Sequence, residues 1–101
     1  MSTTYSEKLR LIRVAEGLTQ LQLRDLTGLG LSTIRNYETH IKEPGLKVVD
    51  KFLKVDLFQK YTLWLMTGQT APEAGQIAPI GAEDLDDDGD NASAANQQPR
   101  L

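Results

Sequence analysis

The side chains best suited to chemistry in this sequence fall between Gln20 and Lys42: the amides of Gln20 and Asn36, the hydroxyls of Ser32, Thr33 and Thr39, the Arg35 guanidinium, the His40 imidazole and the Lys42 ammonium. They are hydrogen-bonding and charged groups, not a set of acid, base and nucleophile. Bond-making chemistry needs such a set to converge in a cleft, yet half of the acids lie beyond Gly68, cysteine is absent and His40 is the single histidine. No glycine loop of the phosphate-cradling kind is present either, so neither an enzyme nor a catalytic residue is expected. Without thiolates, one histidine builds no zinc site, and no metal or cofactor is called for. These residue types are suited to recognition. An asparagine amide bridges N6 and N7 of adenine, a guanidinium takes O6 and N7 of guanine or a phosphate, and threonine or leucine meets a thymine methyl.

Such groups read a duplex only if an element holds them on one face. From Ser6 to Gly68 the apolar residues recur at helical spacing, with no period-two run, which predicts five helices and no sheet. The first spans about Ser6 to Glu16, with Leu9, Ile12 and Ala15 inward, Lys8 and Arg10 outward and Gly17 ending it. The second has full start signals: Thr19 caps the free amides, Gln22 completes a capping box, and Leu18 and Leu23 stand at the staple positions. Gly28-Leu29-Gly30 then turns the chain into a third helix, Leu31 to about Thr39, whose inward residues are Ile34, Tyr37 and Glu38. After Pro44-Gly45, Val48, Val49, Phe52 and Leu53 mark a fourth. Asp56 is expected to cap a fifth, carrying Leu57, Phe58, Tyr61, Trp64 and Leu65 and ending at Gly68. Two short helices around a three-residue glycine turn make a helix-turn-helix, whose second helix lies in the major groove of double-stranded DNA.

Charge agrees once the chain is divided. Its net charge of −3 combines a body, residues 1–68, with ten basic and seven acidic residues, and a tail, residues 69–101, with one basic residue against seven acids. The length of 101 residues suits one domain. The N-terminus lacks a signal-peptide pattern and no stretch approaches the roughly 20 apolar residues of a membrane span, so a cytoplasmic protein with no membrane partner is expected.

Leu18-Thr19-Gln20, Leu23, Leu26, Gly28-Leu29, Ser32-Thr33-Ile34, Tyr37-Glu38 and Pro44 together resemble, without a gap, the Cro/C1-type phage repressors and their Xre-like relatives. The resemblance covers Ser6 to Gly68. It implies an all-α, five-helix lambda-repressor-like DNA-binding domain over residues 1–68, with the motif at 19–39. It also implies roles for single residues. Gln20 corresponds to a glutamine that contacts phosphate and braces the reading helix; Leu31, Ser32, Thr33 and Asn36 take base-facing positions, with Arg35 between them. Thr39, His40 and Lys42 fall where the family grips the sugar-phosphate backbone, and His40 stands where glycine is usual, so a local distortion is expected. Arg13 and Glu38 match a structural ion pair between the first and third helices. Arg24 replaces a usual alanine at the helix seam: either its stem snorkels with its head outside, or it is a second partner for Glu38.

Two segments remain. Residues 69–80 are either an extended linker or a dimer-contact segment, and residues 81–101, nearly all acid from Glu83 to Asp90, are expected to be a disordered tail. That tail either aids solubility or competes with phosphates for the basic face. One reading module discriminates weakly, because it buries only roughly 600–1,000 Å² on DNA, so a homodimer on a palindromic operator is expected. Tyr61, Trp64, Leu65 and Ile77 are its candidate interface, core being the alternative for the fifth-helix residues. The expected function is a repressor, relieved by an antirepressor, competition or turnover. The rival is an antitoxin or interaction module whose main partner is another protein.

Overall fold

A threonine ahead of the first helix decides where the chain begins to coil. In the computed structural model, which describes residues 4–85, α1 spans Tyr5–Ala15 with Thr4 as its cap. The Thr4 hydroxyl accepts from the Glu7 amide at 3.1 Å and the Glu7 carboxylate accepts from the Thr4 amide at 3.2 Å. This reciprocal box satisfies two otherwise orphaned amides and starts the helix one residue earlier than the apolar spacing predicts. Ser6, Leu9 and Ile12 face inward. Gly17, at φ 71°, closes α1 in the left-handed conformation that a Cβ disfavours.

Three more helices follow: α2 over Gln20–Thr27, α3 over Leu31–Glu38 and α4 over Leu46–Leu53. The Thr19–Gln22 box is formed at both ends, at 3.1 and 2.8 Å. The predicted fifth helix divides in two. Asp56–Tyr61 is a 3₁₀ helix and only Thr62–Thr67, α5, is α-helical. A 3₁₀ turn eclipses residues three apart, which brings Phe58 and Tyr61 onto the same inward side, with Phe58 stacked on Phe52 at a centroid separation of 4.3 Å. Asp56 is the first residue of that turn and not its cap; Val55 holds the cap position and no side chain bonds there.

The core joins all of these elements through Leu9, Ile12, Leu23, Ile34, Tyr37, Phe52, Phe58 and Leu65. Tyr61, Trp64 and Leu65 are at most 4% exposed within the single chain. Their assignment to a dimer face is corrected on that ground: what looked like surplus bulk fills this chain's own interior. Ile77, at 39%, is the exposed member of that set.

The segment after Gly68 is neither loose nor extended. Gln76 ties it down, its side-chain oxygen accepting from the Leu63 amide at 2.9 Å and its amide donating to the Gln59 carbonyl at 3.0 Å. The Ile77 amide bonds the Lys60 carbonyl at 2.9 Å, and Ala71 and Gln76 form an isolated bridge around a 3₁₀ turn at Pro72–Ala74. Gly81 then passes against Leu11, Ala82 is buried, and a short α6 covers Ala82–Leu85. Packing therefore continues past residue 68, and the tail expected from 81 onward begins with an ordered turn and helix; residues 86–101 lie outside the described residues. Among the described residues there is no strand, and no helix is long and apolar enough to cross a membrane.

One polar link joins the C-terminal end of α1 to the 3₁₀ turn. Glu16 accepts from the Tyr61 hydroxyl and pairs with Lys60 at 3.0 Å. The Tyr61 hydrogen bond, and Lys60 after it, hold the Glu16 carboxyl below its ordinary value against the opposing effect of burial. Because the folded state favours the ionised form, the link contributes fully above the unfolded-state pKa of about 4.3 and is lost as pH falls through the lower folded value. Urea titrations are expected to show a steeper acid loss of stability in the wild type than in Glu16→Gln; parallel curves would remove this link from the acid response.

Candidate nucleic-acid interface

The turn between α2 and α3 uses both of its glycines. Gly28 sits at φ 77°, Leu29 is buried, and Gly30 is the extended cap of α3 with no side chain in the way. Thr27 secures the turn from inside, donating its hydroxyl to the Leu23 carbonyl at 2.8 Å and accepting from the Leu29 amide at 3.1 Å. Nothing in the apolar spacing marks Thr27; a threonine just before a left-handed glycine is the local signal for this lock.

Because α3 buries Ile34, Tyr37 and Glu38, its 100° step per residue turns Ser32, Arg35 and Asn36 to the other side, while Leu31, seven residues before Glu38, stays at the edge of the inward face. Ser32 and Arg35 are exposed; Leu31, Thr33 and Asn36 are half-buried. At the C-terminal end, Thr39, His40 and Lys42 are exposed. A cleft of about 250 Å³ brings Thr33, Asn36 and Lys42 together with Gly45 at the start of α4. Three of the candidate residues, Thr33, Asn36 and Lys42, thus share one cleft, while His40 lines a separate hollow with Glu7 and Arg10.

One carboxylate fixes the tilt of α3. Glu38, with a side chain 3% exposed, accepts from Arg13 Nε at 2.8 Å and Nη2 at 2.9 Å. Its Oε1 also accepts from the Gln20 amide at 2.9 Å, and Arg13 Nη1 continues to the Leu18 carbonyl at 2.8 Å. α1, the entry to α2 and α3 thus meet at a single side chain. A planar guanidinium matches a carboxylate bidentately, so the three elements have little freedom to rotate against one another. Gln20 donates one amide proton inward and keeps a second N–H for an external acceptor. Arg24 takes no part: its head lies outside, 3.0 Å from Asp25, which resolves the seam question in favour of an exposed head. Tyr37 is buried beside this pair, and its hydroxyl pKa is raised, first by burial and then by the Glu38 charge, so it stays neutral.

The end of α3 carries local strain. The His40 amide bonds the Tyr37 carbonyl at 3.1 Å and the Ile41 amide bonds the Asn36 carbonyl at 2.9 Å, the paired closure that glycine normally completes. His40 does so at φ 63°, as the only non-glycine residue with positive φ among those described. Gly17 closes α1 by the same pattern without a Cβ. A left-handed residue other than glycine costs about 1–2 kcal/mol, partly offset by the extra unfolded-state entropy of glycine. His40→Gly is therefore expected to stabilise the fold by up to about 1 kcal/mol, read as a rise in thermal midpoint. An unchanged or lower midpoint would mean that the imidazole makes compensating contacts.

A helix-turn-helix family model matches residues 9–55, a span holding Arg13, the turn, both motif helices and α4. Repressor protein C of Escherichia phage P2 is 49% identical to this chain over 79 residues, covering 78% of this chain and 80% of that protein. The chain belongs to the Cro/C1-type family of helix-turn-helix phage repressors. In this family member, α5, the Pro72–Ala74 turn and α6 fall outside the matched motif region, yet Trp64 and Leu65 of α5 and Ala82 of α6 belong to the same core as α1 and α4. Lys8 shows the connection, donating from α1 to the Leu65 carbonyl at 3.2 Å near the end of α5.

Proposed function

We propose that this chain is a sequence-specific, double-stranded-DNA-binding transcriptional repressor of phage or prophage type, acting as a homodimer on a palindromic operator. The observation that carries this reading is the Glu38 junction. By tying α3 to Arg13 and Gln20 it supports a fixed helix from which Leu31, Ser32, Thr33, Arg35 and Asn36 would read bases, with Gln20, Thr39, His40 and Lys42 as the backbone contacts of this reading. The relative called repressor protein C supports the direction of the output.

In this mechanism each subunit sets α3 into the major groove, with half-sites about 34 Å apart. Asn36 and Arg35 read base edges, Leu31 and Thr33 meet thymine methyls, and Gln20 and Lys42 fix register on phosphates. Occupancy of promoter elements excludes RNA polymerase. The test is binding of the full chain to fragments of its own upstream region and to a random duplex across a salt series. A palindromic footprint and a preference that survives rising salt are expected. Equal, weak binding to every duplex that vanishes with salt is the electrostatic background alone; it would overturn the reading and direct attention to a protein partner.

A further inference from the structure

Burial of Tyr61, Trp64 and Leu65 leaves the dimer without the face that their sequence positions suggested, and Ile77 alone cannot supply the ~800 Å² per partner that a stable association covers. A different surface exposes more apolar side chains. Between α4, α5 and the 71–76 segment runs an open groove of about 880 Å³, bounded by Leu46, Val49, Leu53, Leu63, Met66 and Ala71. Leu46 is 79% exposed and Met66 41%. None of the groove's residues comes from α2 or α3, so an occupant leaves the reading surface uncovered.

The charges at the rim point to what that occupant is. Asp50 and Lys54 line the groove one turn apart on α4, paired at 3.1 Å with side chains 60% and 74% exposed, while its other polar residues, Gln59, Thr62 and Gln76, are uncharged. An interface between identical surfaces must be complementary to itself. A twofold axis crossing α4 midway between Asp50 and Lys54 runs the two copies of α4 antiparallel and sets each Asp50 against the other copy's Lys54. Opposite charges then meet twice, and apolar groove faces apolar groove. A face of one charge sign would repel its own copy; this one does not.

We propose that this groove is where a second copy of this chain docks, α4 against α4 across a twofold axis, with Leu46 and Met66 as apolar contacts. The proposal rests on the dimeric reading above and gives it a location. The experiment is sedimentation equilibrium of the full chain, with helical circular dichroism as the control for folding. The wild type is expected to be a dimer, and Leu46→Asp combined with Met66→Asp to raise the dimer dissociation constant at least 100-fold with helicity retained. Lys54→Asp is expected to weaken the dimer about tenfold with helicity retained, and adding Asp50→Lys to restore it to within about threefold; the helicity control separates this from the pair within α4, which the exchange also re-forms. Dimers of unchanged strength in the Leu46→Asp/Met66→Asp variant would overturn the location while leaving the dimeric reading intact. A monomeric wild type would overturn both. A chain ending at Leu85 that dimerises when the full chain does not would assign the groove to residues 86–101 instead, and overturn the docking proposed for the full chain.

Discussion

Arg13→Met is expected to destabilise the fold by roughly 3–5 kcal/mol, the usual consequence of leaving one member of a buried ion pair without its partner. Glu38 would keep only the Gln20 amide, in a position where 3% of its side chain meets solvent. Set against a total stability of about 5–15 kcal/mol for a domain, this is a large fraction, and at about 4–8 °C per kcal/mol the thermal midpoint should fall by more than 10 °C. Arg13→Met combined with Glu38→Leu should recover much of the loss, because an apolar pair of similar volume often replaces a buried ion pair at little cost. The double variant separates stability from positioning. With Glu38 gone, Gln20 loses its inward acceptor, so DNA affinity should stay low even where stability returns. Urea unfolding and operator titration of the two variants check both halves. An Arg13→Met variant within about 1 kcal/mol of wild type would mean that other donors replace the guanidinium at Glu38, and that the junction does not hold α3.

The order of the first four helices was legible because each boundary is written locally. Thr19 with Gln22, the Gly28 and Gly30 pair, and Pro44-Gly45 act over three or four residues, so no tertiary knowledge is needed to place them. Thr4 and Glu7 carry the same signal, passed over because the apolar repeat starts later. Beyond Asp56 the local signal weakens. Whether Phe58 and Tyr61 follow a 3₁₀ or an α path depends on Phe52, from another helix, and Tyr61 or Trp64 reads equally well as core or as interface until their neighbours are known. The 69–82 segment was least legible for the same reason. It is held by Gln76, a polar residue in a proline- and glycine-punctuated stretch that carries no period, through bonds to Gln59 and Leu63 far away in sequence. At the candidate interface, the family pattern supplied the residues and the Arg13–Glu38 pair; that the same carboxylate also accepts from Gln20 is a fact of three-dimensional packing.

Asn36 and Lys42 share one cleft beside α3, yet replacing them should change binding in opposite ways. The Asn36 backbone carbonyl is already engaged by the Ile41 and Lys42 amides, so the carboxamide side chain is the group left to recognise a ligand. A bidentate contact to one base carries about 1–3 kcal/mol of discrimination, and a dimer makes it twice. Asn36→Ala is therefore expected to reduce the preference for operator over random duplex by roughly 30-fold to 10⁴-fold, with little change in the slope of log K against log salt. Lys42 is exposed and carries one charge; Lys42→Ala should weaken operator and random duplex alike and lower the slope by about 1 per subunit, because one fewer phosphate is neutralised. Titrations of both duplexes at several salt concentrations separate the two effects. If Asn36→Ala instead lowers affinity for both duplexes equally, Asn36 contacts the backbone, and the sequence preference must be carried by Leu31, Ser32, Thr33 and Arg35, the other candidate readers on α3.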